Sequence, residues 1–268
     1  MRIIYQFHLV MRYLLALILL FSFACVEAQQ SPGFRLGVEY GTSQMAGEID
    51  SRWEFRQTGN RYSDYESYYE NENVTGEGVL HYAGLKSELS MWQDRLTLAS
   101  GLRYTHVNER ISPAGNASQL YLYHPSGQGI ELFRIYRMNE SLGYISIPLE
   151  ADILLLGYLS NWQVYVKGGI QAGLKVHGNT RLDFVSKEME KYEDEILASA
   201  GKEPSNFFSN VYGSIGLRLI LKNGIRLSIE AVSSQVFLTK NNFSLLSSQS
   251  LPGVQFMITT PVNLFTSK

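Results

Sequence analysis

Residues 162–177 read WQVYVKGGIQAGLKVH, and apolar and polar side chains alternate along this stretch. Trp162, Val164 and Ile170 fall on one face, whereas Lys167 and Lys175 fall on the other. Alternation with a period of two residues predicts a β-strand with one apolar face. The stretch exceeds the ~5–6 residues of a typical soluble strand and reaches the ~9–11 tilted residues that cross a bilayer. Charges on the second face indicate a tube that is apolar outside and polar inside.

The same pattern recurs along the chain after Gly33, in segments 34–42, 79–91, 96–110, 142–155, 211–221, 225–237 and 253–265. It predicts an all-β fold, an eight-stranded antiparallel up-and-down transmembrane β-barrel with long outer loops and one short loop helix. Connections 92–95, 156–161 and 222–224 are short, and the intervening ones are long. A barrel with both termini on the periplasmic side shows this asymmetry. The alternative is a soluble β-sandwich, which gives no reason to sort its connections by side.

The first 28 residues have the features of a cleaved signal peptide. Arg2 and Arg12 supply positive charge, residues 14–21 form a short apolar core, and residues 26–28 suit the cleavage site. We therefore expect a mature barrel domain, 29–268, integral to the outer membrane of a Gram-negative bacterium. The alternative is a lipoprotein cleaved before Cys25, the only cysteine.

The composition excludes several function classes. A formal net charge of −2 gives no basic surface for nucleic acid. The predicted mature chain has no thiol for a disulfide or a metal site, and no glycine-rich phosphate loop occurs. We expect a monomeric barrel without a cofactor, surrounded by outer-membrane lipid and able to contact an envelope protein partner.

Strand parity directs a set of charged side chains into the predicted lumen. Eight strands enclose a bore that side chains can fill, and an unpaired charge there would be poorly solvated. Counting residues back from the short turns gives the strand register. It places Lys167 beside Asp152 or Glu150 on the neighbouring strand, and Arg218 diagonal to Glu230. The alternatives are a narrow ion path and acid–base catalysis by Glu150 and Asp152. The sequence predicts a closed, salt-bridged lumen made by Arg35, Glu39, Lys86, Glu88, Arg103, Glu150, Asp152, Lys167, Lys175, Arg218, Arg226 and Glu230.

Two histidines form a predicted pair at the outer rim. With Gln93 and Asp94 at a hairpin tip, His81 and His106 become cross-strand partners with outward parity. Such imidazoles could bind lipid phosphates or a metal ion, or act as a base in a lipid-modifying enzyme. His106 lacks the serine two residues later that some lipid hydrolases of this architecture use. We therefore expect neither a catalytic site nor a metal site.

The long connections contain three further features. Segments 120–123 and 130–136 flank a turn at 125–129 and predict a protruding hairpin. Residues 186–200 predict a helix with Ser186 as N-cap, whose apolar stripe packs on a neighbouring loop or on a partner. An acidic loop carries tyrosines that form a recognition surface or cover the barrel mouth: Tyr62, Tyr65, Tyr68 and Tyr69.

Residues 143–150, GYISIPLE, follow a long loop, and residues 33–38, GFRLGV, open the first strand. Together with the predicted signal peptide, these segments resemble the PorT-like family of outer-membrane β-barrels. The resemblance implies an eight-stranded barrel in a Gram-negative outer membrane, and the founding member is associated with protein secretion. We expect a non-enzymatic barrel with a structural or interaction role through its extracellular loops. The alternative that the resemblance supports is an accessory subunit of an envelope secretion machine.

Overall fold

The computed structural model describes residues 33–51, 53–55, 74–114, 118–126, 129–158, 160–199, 203–239 and 242–262, so the predicted signal peptide lies outside the described residues. A 3-10 helix, Lys187–Tyr192, leads into helix α1, Glu193–Ser199. In the described part of the chain, no helix is long and apolar enough to cross a membrane. The strands are β1 Gly33–Ile49, β2 Val74–Met91, β3 Leu96–Pro113, β4 Leu120–Ser126, β5 Gly129–Leu156, β6 Trp162–Phe184, β7 Phe207–Ile220, β8 Arg226–Val232, β9 Val236–Phe237 and β10 Leu246–Pro261.

Eight of these strands close into a ring. Hydrogen bonding follows the order β1–β2–β3–β5–β6–β7–β8–β10, and β10 pairs with β1 to complete the circle. Each of these pairings is antiparallel. Strand β4 adds to β5 and β9 adds to β7 outside the ring. The prediction of an eight-stranded antiparallel up-and-down barrel is confirmed.

The predicted short connections lie at one end of the barrel, which we call the turn end. Its β2–β3 turn holds Trp92, Gln93 and Asp94 at φ values of 48°, 58° and 66°. Gly157 and Gly224 also have positive φ, 88° and 80°, in the left-handed region that glycine enters without a Cβ clash. We call the opposite end, where the long connections lie, the outer end.

At the outer end, most strands extend beyond their predicted bounds, whereas β8 ends at Val232 rather than at 237. Strand β1 continues to Ile49 rather than 42, β2 begins at Val74 rather than 79, and β6 runs to Phe184 rather than 177. Strand β5 joins the predicted hairpin segment 130–136 to the predicted membrane strand 142–155. The predicted bounds were wrong because polar side chains replace apolar ones on the outward face there, while backbone pairing continues.

The predicted helix 186–200 is also divided. Ser186 makes no side-chain capping bond, and the first segment is a 3-10 helix that leads into α1. Ile196 is buried, and the Tyr192 ring lies 5.5 Å from the Phe133 ring. Met189 packs against the same cluster of buried side chains. The apolar stripe therefore packs on this chain, as one of the two interpretations predicted.

Candidate functional site

Each strand of the ring presents exposed apolar side chains on one face. One outward residue from each of the eight strands is 45–65% exposed: Val38, Leu85, Leu102, Ile147, Ile170, Ile215, Ile229 and Ile258. Residues of the opposite parity include Lys86 and Arg103, which are 2% and 1% exposed. This is the architecture of a transmembrane β-barrel. We call the outward apolar surface the belt.

Two serine hydroxyls on the outward face are bonded to the barrel itself. The hydroxyls of Ser87 and Ser100 donate to the carbonyls of Ser100 and Pro148, at 3.1 and 2.9 Å. In hydrocarbon, such internal partners replace water. At the turn end, Trp92 and Trp162 are 75% and 54% exposed, which is typical of aromatic side chains at a membrane–water interface.

Inside the barrel, Glu150 lies at the centre of a buried ion network. Its carboxylate contacts the ammonium group of Lys86 and lies 3.5 Å from Nζ of Lys167. Arg103 Nη2 donates to Glu150 Oε1 at 2.8 Å, and the Tyr212 hydroxyl donates to the same oxygen. The side chains of Glu150, Lys86 and Lys167 have no exposed surface. The cations therefore offset the cost of burying this carboxylate.

Arg103 connects this network across the lumen. Its Nε donates to Glu39 Oε1 on β1 at 2.6 Å, and its Nη1 donates to Gln171 Oε1 on β6 at 2.8 Å. The guanidinium carbon lies 4.5 Å from the centroid of the Tyr82 ring on β2. With Glu150 on β5 and the Tyr212 hydroxyl on β7, which accepts from Nη1 at 3.0 Å, one side chain therefore contacts five strands besides its own.

A second group of ion pairs lies nearer the turn end. Arg218 Nη2 donates to Asp152 Oδ2 at 2.9 Å, and Arg226 Nη2 lies 3.0 Å from Asp94 Oδ2 in the β2–β3 turn. Arg226 Nη1 also lies 3.9 Å from Glu88 Oε2. Burial acts to raise the pKa of the Asp94 carboxyl, but the charge and hydrogen bond of Arg226 outweigh burial and hold this pKa below its usual value.

The structure brings the predicted luminal residues together except Lys175, and Arg35 is the direct cross-strand partner of Glu88. Arg35 Nη1 donates to the Gly224 carbonyl at 2.5 Å, and Lys175 Nζ donates to the Pro204 carbonyl at 2.7 Å. Lys175 lies beside an irregularity in the β5–β6 register, where the segment before β7 supplies a backbone acceptor.

Arg218 lies diagonal to Glu230 across the β7–β8 pair, as predicted, but these two residues do not form the ion pair. Arg218 binds Asp152, whereas Glu230 binds Lys167 and accepts hydrogen bonds from Tyr165 and Ser214, at 2.6 and 2.8 Å. Lys167 is the cross-strand partner of Asp152, as predicted, and lies 3.5 Å from Glu150. The ion pairs of Arg218 and Glu230 join strands that are not neighbours in the ring, because the long side chains extend across the lumen.

Three tyrosines fill the space between the charges; the sequence places Tyr165 in the lumen, whereas Tyr82 and Tyr212 were missed. Tyr82, Tyr165 and Tyr212 are buried, and each is the direct cross-strand partner of a glycine. The Tyr165 ring lies over Gly216, where an added Cβ would come within 2.4 Å of Cζ. Glycine opposite an inward tyrosine was the sequence signal that could have found Tyr82 and Tyr212.

Replacing Gly216 by alanine is expected to lower the free energy of unfolding by ~1–3 kcal/mol, because the new methyl group must displace the Tyr165 ring. Urea unfolding in lipid vesicles measures the change. Gly168→Ala is the matched control, since a Cβ there has nothing within 4 Å. Equal stabilities for the two variants would contradict the packing described here.

An apolar layer lies between the ions and the outer end. The rings of Tyr144 and Phe208 stack with centroids 4.9 Å apart. Phe243, from the connection between β9 and β10, belongs to the same cluster, and the Tyr144 hydroxyl donates to the Asn242 carbonyl at 3.0 Å. This connection therefore folds inward and closes the lumen at its outer end.

Two further buried carboxylates hold the same connection in place. Glu140 Oε2 accepts a hydrogen bond from the Ser244 amide at 2.8 Å, and Glu109 Oε2 accepts one from the Leu246 amide at 3.1 Å. The sequence reasoning assigned neither residue to the lumen. Glu109 shares the parity of Arg103, so parity could have found it, whereas Glu140 precedes the predicted strand 142–155.

The outer ends of the strands have a hydrophobic core of their own, and we call this region the outer cap. Phe55 forms a β-bridge to Leu122 on the hairpin of β4 and β5, which confirms the predicted hairpin. The predicted tyrosine surface at 62–69 lies outside the described residues and stays a prediction. The buried core consists of Trp53, Phe55, Ile111, Leu120, Leu122, Phe133, Ile135, Met138, Leu182, Ile196, Leu245 and Leu246.

His81 and His106 are direct cross-strand partners on the outward face, as predicted. The Tyr40 hydroxyl lies 3.3 Å from His81 Nδ1, whereas His106 Nδ1 is buried without a hydrogen-bond partner among the described residues. Within the same residues, no group of three or more histidine, cysteine or acidic side chains is placed to hold a metal ion.

No family model and no curated protein matches the chain. The chain overlaps the translocator domain of the autotransporter NalP from Neisseria meningitidis with a TM-score of 0.31 and 9% identity, covering 87% of this chain and 90% of that one. It overlaps the transport unit of the autotransporter AIDA-I from Escherichia coli with a TM-score of 0.25 and 8% identity, covering 87% and 91%. The strand pairing of the chain itself defines the ring of eight strands.

Proposed function

We propose that this protein is a non-enzymatic, integral barrel of a Gram-negative outer membrane that acts through its outer cap as a structural or interaction module. The observation that carries the proposal is the combination of a closed lumen with a folded cap. A barrel filled by ion pairs and aromatic rings has no room for a solute, so its exposed chemistry lies on the cap.

The belt supports the membrane location, and the placement of the connections supports the orientation. Outer-membrane barrels have short periplasmic turns and longer extracellular connections. The turn end, with residues 92–95 and the start of β1, therefore faces the periplasm, and the cap faces the exterior.

The purified protein is expected to give no stepwise conductance in planar bilayers, because the ionic layer around Glu150 and the apolar layer around Phe208 block the lumen in series. A general porin, tested in the same bilayers, is the positive control. Regular conductance steps from the purified protein would contradict the closed lumen and would favour the narrow ion path.

Photo-crosslinking in cells tests the interaction role. A photoreactive residue at Tyr136 or Tyr192, which are 51% and 37% exposed on the cap, is expected to trap one reproducible neighbour. The same group at Trp92 on the turn end is the control and is expected to trap none. The absence of any cap adduct would leave the structural role and remove the interaction role.

A second candidate is an accessory subunit of an envelope secretion machine. The resemblance of residues 143–150, which lie in β5, to the PorT-like family favours it. A stable complex recovered in mild detergent, with adducts at the turn end, would support this role. Recovery only as a monomer would count against it.

A further inference from the structure

Three histidines lie at one level on the outward face of the barrel. The strand register places His81 beside His106, His106 beside Gly143, and Gly143 beside His177. The sequence reasoning missed His177, because the irregularity in the β5–β6 register moves it to this level. We call these three residues the histidine row.

The histidine row marks the upper edge of the belt. The level below it, towards the turn end, includes Tyr104, Ile145 and Leu174, which are 44–63% exposed. The level above it holds polar side chains at the corresponding positions: Asn108, Ser141 and Asn179. On β3, β5 and β6 the outward surface therefore changes from apolar to polar across a single row, whereas β2 places the apolar Val79 opposite Asn108.

Arginines follow on the same face above the histidine row. Arg110 and Arg181 lie at one level on either side of Asn139, and Arg137 lies at the next level beside Asp183. They line an open groove of about 790 Å³, whose other lining residues include Glu77 and Asn108.

These arginines are only partly neutralised. Arg110 Nη1 lies 3.7 Å from Glu77 Oε1 with both side chains about half exposed or more, and Arg137 pairs with Asp183. Arg181 makes no ion pair with any other residue in the described part of the chain. Exposed pairs of this kind contribute little and leave arginine available to an anion.

We propose that this face, from the histidine row to the arginine groove, binds the phosphorylated head group of an outer-leaflet glycolipid. The inference rests on the proposed membrane location. Arg110 and Arg181 lie four residues and Arg137 six residues above the histidine row, which is ~13 and ~20 Å along the strands and ~10 and ~15 Å in height at a strand tilt of ~40°. The head-group layer extends ~5–7 Å beyond the hydrocarbon core, and the long arginine side chains can reach back to it. Guanidinium groups at that height meet phosphates, which arginine binds through paired hydrogen bonds.

The test uses purified protein in nanodiscs of neutral phospholipid, titrated with fluorescent lipopolysaccharide. The triple variant Arg110→Gln, Arg137→Gln, Arg181→Gln is expected to weaken binding at least ~10-fold, because charge-assisted hydrogen bonds are lost. Enzymatically dephosphorylated lipopolysaccharide is expected to bind the unmodified protein as weakly as the intact lipid binds the variant.

The matched control removes three exposed cations elsewhere, with Lys187→Gln, Lys191→Gln and Lys222→Gln. It is expected to keep the affinity of the unmodified protein. Equal weakening by both triple variants, or no weakening by the arginine variant, would overturn the inference. Because the protein is already in a membrane in this assay, either result leaves the barrel itself in place, whereas failure to enter nanodiscs would overturn the membrane location.

Discussion

Arg103→Met is expected to lower the free energy of unfolding by ~3–5 kcal/mol, the cost of breaking a buried ion pair by removing one partner. The loss leaves Glu39 with Lys86 at 3.5 Å and the amide of Gln255 at 3.1 Å. The substitution also removes the cation–π contact between the guanidinium group and the Tyr82 ring. Urea unfolding in lipid vesicles, followed by the shift in gel mobility of the folded barrel, measures the change.

The control is Arg110→Met, which also removes an arginine from β3. Its ion pair with Glu77 is exposed, so the expected change is within ~0.5 kcal/mol. A loss below ~1 kcal/mol for Arg103→Met would show that the luminal network does not connect the strands as the contacts indicate.

Leu85→Arg is expected to lower the stability in lipid by ~2–4 kcal/mol, the cost of a charge on the lipid face near the bilayer midplane. Leu85 is 65% exposed and pairs with Leu102 near the middle of the belt. On a water-facing surface, the same exposure would make the substitution nearly neutral. Unfolding in lipid vesicles therefore distinguishes a lipid-facing from a water-facing exterior.

Asn108→Arg is the control for depth, since Asn108 points outward one level above the histidine row. The expected change is ~0–1 kcal/mol, as for charges near the interface. Equal, small effects at both positions would contradict a belt in contact with hydrocarbon.

The membrane part of the barrel could be predicted from the sequence because side chains alternate between the two faces of each strand. In strands with one face in lipid, the alternation fixes which side chains enter the lumen, and most of the predicted ionic residues contact one another there. Short turns fixed the strand order, so the pairing of His81 with His106 followed from counting back from Gln93 and Asp94.

The partners within the lumen and the outer cap could not be predicted in the same way. Parity places Arg218 in the bore, but the length of its side chain lets it reach Asp152 two strands away. Above the membrane the outward face becomes polar, so the pattern that revealed the strands disappears while their hydrogen bonding continues. His177 lies level with the other two histidines because of a local irregularity in the β5–β6 register. The alternation of apolar and polar residues does not reveal this irregularity.

Spin labels on single cysteines along β3 test the central claim most directly. The only cysteine, Cys25, lies in the predicted signal peptide, so the mature chain offers a cysteine-free background. Labels at Leu98 and Leu102 are expected to collide with dissolved oxygen, which concentrates in lipid. Labels at Ala99 and Thr105, in the filled lumen, are expected to collide with neither oxygen nor a water-soluble nickel complex. A label at Asn108 is expected to collide with the nickel complex. Free collision of nickel with Leu98 and Leu102 in the reconstituted protein would contradict an exterior that faces lipid.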